Sequence, residues 1–176
     1  MEELQYHEQR DLKNKKKLQE LLAALPSFCA DFFRGIEPAT SSMTRLSYAY
    51  DISTFFDFLR KLKPELEKLS VENISLEQLC AVTIQDLERY LEYLKYRPDD
   101  PEHKNVNKEQ GIKRKFFSLK SFFGYFYRTG QIKTNPTLSM QVPKIREKEI
   151  IRLNQDEIKT LLKEAESGSG LSQKQK

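Results

Sequence analysis

Tryptophan is absent from the 176 residues and glycine is scarce, with six. A turn-rich all-β protein is therefore set aside. The two cysteines, Cys29 and Cys80, stand far apart, and the two histidines, His7 and His103, join neither of them in a metal-ligand spacing. That leaves no zinc motif and no disulfide framework; isolated cysteines of this kind behave as small buried hydrophobes in a reducing compartment. There is no glycine-rich phosphate loop and no nucleophile elbow, so neither a self-contained active site nor a cofactor is expected. The start, Met-Glu-Glu-Leu-Gln, lacks the basic opening and apolar run of a secretory signal. No stretch reaches the roughly 18 apolar residues of a membrane span. The expectation is a cytoplasmic protein that does not engage a membrane.

One further scarcity is local. From Lys104 to Lys148 there are two acids, Glu109 and Glu147, against eleven lysines and arginines. The whole chain is only +4, so a basic block sits on a mildly acidic remainder. Aromatics interleave with this block, a pattern suited to a polyanion surface.

What is abundant is helical periodicity. Residues 2–25 contain no Gly or Pro, and Leu18, Leu21, Leu22 and Leu25 mark an apolar stripe. Pro26 interrupts, and Ser27 is placed to cap a short helix through Phe28, Phe32 and Phe33 that stops near Gly35. Ser41 or Ser42 caps the next helix, whose inner positions are Tyr48, Ile52, Phe55, Phe56, Leu59 and Leu62. Pro64 closes it. After a connection anchored by Ile74, Leu76 and Leu79, Thr83 and Asp86 form a capping box for a helix to about Arg97. Ile84, Leu87, Tyr90, Leu91 and Leu94 face inward there.

Residues 98–107 read as a polar loop. The strongest helix runs from about Asn107 to Thr129, with Ile112, Phe116, Leu119, Phe123 and Phe126 as its core stripe, Phe117 and Phe122 flanking it, and Gly130 as its stop. Residues 131–152 read as an extended linker. Asn154 then caps a helix with Ile158, Leu161 and Leu162 inside, ahead of a Ser/Gly-rich tail.

Once the core stripe of the 107–129 helix is set aside, its other side shows Lys113, Arg114, Ser118 and Ser121, bordered by Lys120. Arginine and lysine neutralise phosphates, and serine hydroxyls and the guanidinium fork can hydrogen-bond phosphates or base edges. A face that only confers solubility mixes both signs, yet no acid occurs from Lys113 to Arg128. Thr44 and Arg45, at the start of the earlier helix, form a second candidate, since a helix N-terminus favours an anion. His7 and Arg10 form a His-x-x-Arg with no partner motif nearby.

The order of these pieces resembles a known family. Thr44, Tyr48, Asp51 and Ile52, followed by Phe55 and Leu59, resemble the Thr-x-x-x-Tyr-x-x-Asp-Leu opening of the core-binding domain of tyrosine recombinases of the phage integrase and Xer type. Val82-Thr83-Ile84-x-Asp86-Leu87 with Tyr90-Leu91 is similar to the second landmark. Arg114, Ser118, Leu119, Lys120, Phe122, Phe123 and Tyr125 resemble the DNA-binding helix. Gly130-x-Ile132, Asn135-Pro136 and Val142-Pro143-Lys144 are similar to the exit. Leu153-x-x-x-Glu157-Ile158-x-x-Leu161-Leu162 looks like the first helix of the catalytic domain.

The resemblance implies an all-α, SAM-like bundle of two crossed helical hairpins that clasps one face of a recombination site. It divides the chain into an N-terminal helical extension (1–35), the core-binding domain (36–132), a linker (133–152) and the start of a catalytic domain (153–176). The helices beginning near Thr44 and Lys108 would meet DNA. Thr44, Arg45, Arg114, Ser118 and Lys120 carry over by motif position; Lys113 and Ser121 rest on helical geometry, and Lys144 on the basic linker. The implied partners are double-stranded DNA bearing an inverted repeat, placing the protein at the nucleoid, and further recombinase protomers. In the family a tyrosine forms a 3′-phosphotyrosyl bond, aided by arginines, a lysine and a histidine. All of these lie beyond the linker, so the expectation is a chain that binds DNA and does not cut it. A helical protein-interaction or regulatory module using the same basic face is the alternative.

Overall fold

The computed structural model describes residues 5–96, 108–143 and 154–167. Among the described residues there is no strand, and the architecture is an all-α bundle. Two compact units are distinguished, Met1–Ile145 and Arg146–Lys176.

In the first unit, α1 spans Tyr6–Ala23 and α2 spans Cys29–Ile36. The cap of α2 is Phe28, without a side-chain bond, and not Ser27. The helix ends at Ile36, near Gly35 as expected, but Gly35 lies inside it and is not a left-handed stop. A Cβ there would run into the ring of Tyr125, so the glycine permits a close approach between helices. After a 3-10 turn at Glu37–Ala39, α3 covers Ser42–Leu62. Ser41 caps it by accepting the Thr44 N–H at 3.2 Å.

The short α4 (Pro64–Glu67) and a 3-10 turn (Val71–Asn73) lead to α5, Leu76–Cys80. A capping box that the sequence pattern did not reveal, Ser75 with Gln78, opens α5. The expected box at Thr83 is present: its N–H donates to Asp86 Oδ2 at 2.9 Å, and the Asp86 N–H donates to Thr83 Oγ1 at 3.2 Å. It opens α6, Ile84–Tyr96. Lys63 Nζ lies 3.1 Å from Asp86 Oδ2, tying the end of α3 to the start of α6. Burial alone would raise the Asp86 carboxyl. The Thr83 N–H and the Lys63 ammonium outweigh it and hold the group below its ordinary value.

A long inner stripe belongs to α7, Glu109–Arg128. Ile112, Phe116, Leu119, Phe122, Phe123 and Phe126 are all buried. At roughly 1.5–3 kcal/mol for each large apolar side chain buried, this stripe far outweighs any surface ion pair in fixing the helix. Phe122 is a hub rather than a flank. Its ring lies 5.1 Å from Phe32 on α2, 6.2 Å from Phe56 on α3 and 5.0 Å from Phe126, all edge-on.

Gly130 ends α7 with φ of 72°, where the Gln131 N–H reaches the Phe126 carbonyl and the Gly130 N–H reaches that of Tyr127. Of the segment expected as an extended linker, residues 131–143 are described and are not extended throughout, and residues 144–152 lie outside the described residues. Asn135 accepts from the Thr137 N–H at 3.0 Å and caps a 3-10 turn, Pro136–Ser139, with Thr137 buried. This turn packs on α6 and α7. One hydrophobic cluster takes in residues from Leu18 to Ile132, so α1 and α2 share the core of α3, α6 and α7.

In the second unit, α8 spans Gln155–Ser167, with Asn154 accepting from the Asp156 and Glu157 N–H groups. Ile158, Leu161 and Leu162, expected inside, are 44%, 50% and 59% exposed. Among the described residues of that unit there is no second element for them to pack on.

Candidate nucleic-acid interface

Two helices carry the candidate side chains. The outward side of α7 presents Lys113, Arg114, Phe117, Lys120, Ser121, Tyr127 and Arg128, with Phe117 40% and Tyr127 45% exposed. No acid occurs among positions 113–128, so this stretch has uniform sign, and the one acid of the helix, Glu109, is exposed in its first turn. Lys108 is exposed at the N-cap.

Arg114 is the best-positioned cation of the set. Its Nη1 lies 2.6 Å from Asp51 Oδ2 on α3 and 3.5 Å from the Ser47 carbonyl, while 47% of the side chain stays exposed. Asp51 is fully buried, and its other oxygen accepts from Lys115 Nζ at 2.9 Å. One buried carboxylate therefore meets two cations. Lys115 is consumed inside, whereas Arg114 is held at the rim with its remaining N–H groups free to turn outward. This arrangement pins α7 to α3 and orients a guanidinium fork at a fixed place, which suits it to bidentate phosphate or base-edge contact.

Two of the expected contacts are turned away. Arg45 is buried; its guanidinium donates to the carbonyls of Glu37 at 3.1 Å and Thr40 at 2.7 Å and pairs with the Glu37 carboxylate at 3.3 Å. It braces the 3-10 turn before α3 and does not face solvent. Ser118 has no exposed surface, and its hydroxyl donates back to the Lys115 carbonyl at 2.8 Å. A helix whose buried arc is wider than one stripe explains both Lys115 and Ser118: positions 115, 118 and 122 form a second inner row headed by Phe122. Thr44 is half-buried, with its hydroxyl 2.9 Å from that of Ser41. Lys144 lies outside the described residues.

Lys113, Arg114, Lys120 and Ser121 are thus brought onto one side of α7, and Arg114 reaches the edge of α3 near Thr44. Sequence reasoning missed Lys115 as a buried partner and Phe117 as an exposed one. It also held Asp51 only as a motif position. Among the described residues no cluster of His, Cys, Asp and Glu could hold a metal, and no helix is long and apolar enough to cross a membrane.

No family model matches the chain, and no solved structure matches it. Two curated relatives do. The chain is 30% identical over 131 residues to tyrosine recombinase XerC of Caldanaerobacter subterraneus subsp. tengcongensis, covering 70% of this chain and 35% of that protein. It is 29% identical over 126 residues to tyrosine recombinase XerD of Rickettsia bellii, covering 72% of this chain and 34% of that protein. The chain spans about a third of the length of the curated relatives it matches. Both similarities support the tyrosine recombinase family.

Proposed function

We propose that this chain is a portion of a site-specific tyrosine recombinase, and that residues 1–145 form its DNA-binding, core-binding domain of SAM-like type. The single observation that carries this reading is the outward side of α7 from Lys113 to Arg128, which bears cations and no acid and is docked on α3 through Asp51. Similarity to two recombinases supports it. Lys108, Lys113, Arg114, Lys120 and Ser121 meet the duplex, with Thr44 at the adjoining edge of α3. Lysines neutralise phosphates and fix the register, and Arg114, already oriented, reads a base edge or clasps a phosphate. Residues 153–176 open the part of the protein responsible for strand cleavage, and further protomers assemble on an inverted-repeat site.

The test is a binding titration of the chain on a duplex of about 30 base pairs at rising salt. Each phosphate contact contributes about −0.9 to the slope of log affinity against log salt. Neutralising Lys113 and Lys120 together, as Lys113→Gln and Lys120→Gln, is expected to reduce that slope by about 2. An affinity that does not change between low and high salt overturns the reading. In that outcome a protein partner for the basic side becomes the better account.

A further inference from the structure

Helix α1 has no role in the interface described so far, yet its placement is fixed by an unusual polar junction. Ser42, at the start of α3, donates its hydroxyl to Asp11 Oδ1 at 2.7 Å and accepts from Asn14 Nδ2 at 3.0 Å. Asn14 is buried at this contact, and Leu18 follows it into the core. The N-terminal half of α1 therefore lies at the N-terminal end of α3, where Thr44 is.

The next contact settles which side of α1 faces which way. Lys17 Nζ sits 5.8 Å from the centroid of the Tyr50 ring, and Tyr50 is 41% exposed. On α3 the exposed or half-exposed positions Met43, Ser47, Tyr50 and Thr54 are spaced by three and four residues and make one strip, which the exposed acid Asp57 ends on the side away from Ser42. Lys17 reaches one border of that strip at Tyr50. Arg114 reaches the other at the Ser47 carbonyl. Arg10, Lys13 and Lys17 are exposed and likewise spaced by three and four, so they share the stripe of α1 that Lys17 places beside Tyr50. Glu20, one turn on, is an acid on that same stripe, at the end away from Ser42. Toward the other end, Asp11 is engaged by Ser42, and Glu8 in the first turn accepts from the Gln5 N–H.

We propose that α1 is a third DNA-contacting element: Arg10, Lys13 and Lys17 engage the phosphate backbone on the far side of the α3 strip from α7. This rests on the DNA-binding reading above. The exposed strip of α3 then lies between two rows of cations, and the duplex is held across α3 from both flanks. Uncharged Ser47, Tyr50 and Thr54 line the middle, where hydroxyls can donate or accept, and the cations border it. Phosphates flank the base edges in the same order.

The experiment uses the 176-residue chain and a mixed-sequence 30-base-pair duplex. A triple variant, Arg10→Gln, Lys13→Gln and Lys17→Gln, is compared with a charge-matched control, Lys15→Gln, Lys68→Gln and Lys95→Gln, all at exposed positions. Far-UV circular dichroism and thermal melts establish that both remain folded. The α1 triple is expected to weaken binding at least about tenfold at low salt and to reduce the salt slope by about 2 to 3, with the control near the parent chain. Equal effects from the two triples overturn the proposal while leaving the DNA-binding reading in place. If the parent chain itself shows no salt-dependent binding, the DNA-binding reading fails and takes this proposal with it.

Discussion

Removing the Asp51 carboxylate should expose how much of the bundle depends on one buried charge. Asp51 has no exposed surface, the Lys115 side chain is 10% exposed, and that of Arg114 is 47% exposed. In Asp51→Ala the two cations fare differently. Arg114 can swing into water, so its share of the loss is that of a surface pair, about 0–1 kcal/mol. Lys115 cannot, because its ammonium would remain among the buried side chains of α3 and α7 without a counter-charge. Stranding one member of a buried pair costs about 3–5 kcal/mol. The expected total is therefore about 3–5 kcal/mol, which for a chain of this size corresponds to a fall in Tm of roughly 6–20 °C. Urea unfolding followed by circular dichroism measures it as a shift in midpoint at constant slope. The variant Asp51→Leu with Lys115→Met removes the carboxylate and the stranded ammonium together. It should recover most of the loss, since an apolar pair of similar volume replaces a buried ion pair at little cost. A loss below about 1 kcal/mol in Asp51→Ala would refute the reasoning, because it would mean that water already reaches the site.

Two further outcomes follow from local geometry. Cys29 is fully buried, and burial pushes its thiol far above the ordinary value, whereas Cys80 is exposed; a thiol reagent at pH 8 should therefore titrate one group rapidly in the folded chain and two in urea. Gly35→Ala places a methyl against the Tyr125 ring and should cost about 1–3 kcal/mol in a melt. Adding Tyr125→Leu should return part of that; a Gly35→Ala chain as stable as the parent would refute the close approach.

The helices were legible because their determinants are local. Ile112, Phe116, Leu119, Phe123 and Phe126 announce their face by spacing alone, and Thr83 with Asp86 announces a cap within four residues. What periodicity cannot tell is how many neighbours a helix has. A single partner buries one row, and α7 buries two, so Ser118 and Lys115 went inside and Phe117 came out. The available clue was Phe122, seven residues from Lys115 and four from Ser118. Arg45 was misplaced for a related reason. The N-terminus of α3 does offer unpaired N–H groups, but the Arg45 guanidinium is taken up by the carbonyls of Glu37 and Thr40 just before the helix. Gly35 reads as a helix stop in one dimension, and only the opposing Tyr125 ring shows that it is a point of close contact. The segment at Pro136–Ser139 reads as linker because a one-turn helix has no periodicity to display.

The junction of Asp11, Asn14 and Ser42 has a consequence for the register in which α1 seats on the bundle. Leucines forgive sliding: a helix held by Leu18, Leu21 and Leu22 alone could shift by a turn and still bury oil against oil. A hydroxyl that is at once donor and acceptor disfavours such a slip, because a displaced register would leave the buried Asn14 amide and Ser42 hydroxyl without their partners. The polar junction thereby singles out one register of α1 on α3, like a key with a single notch.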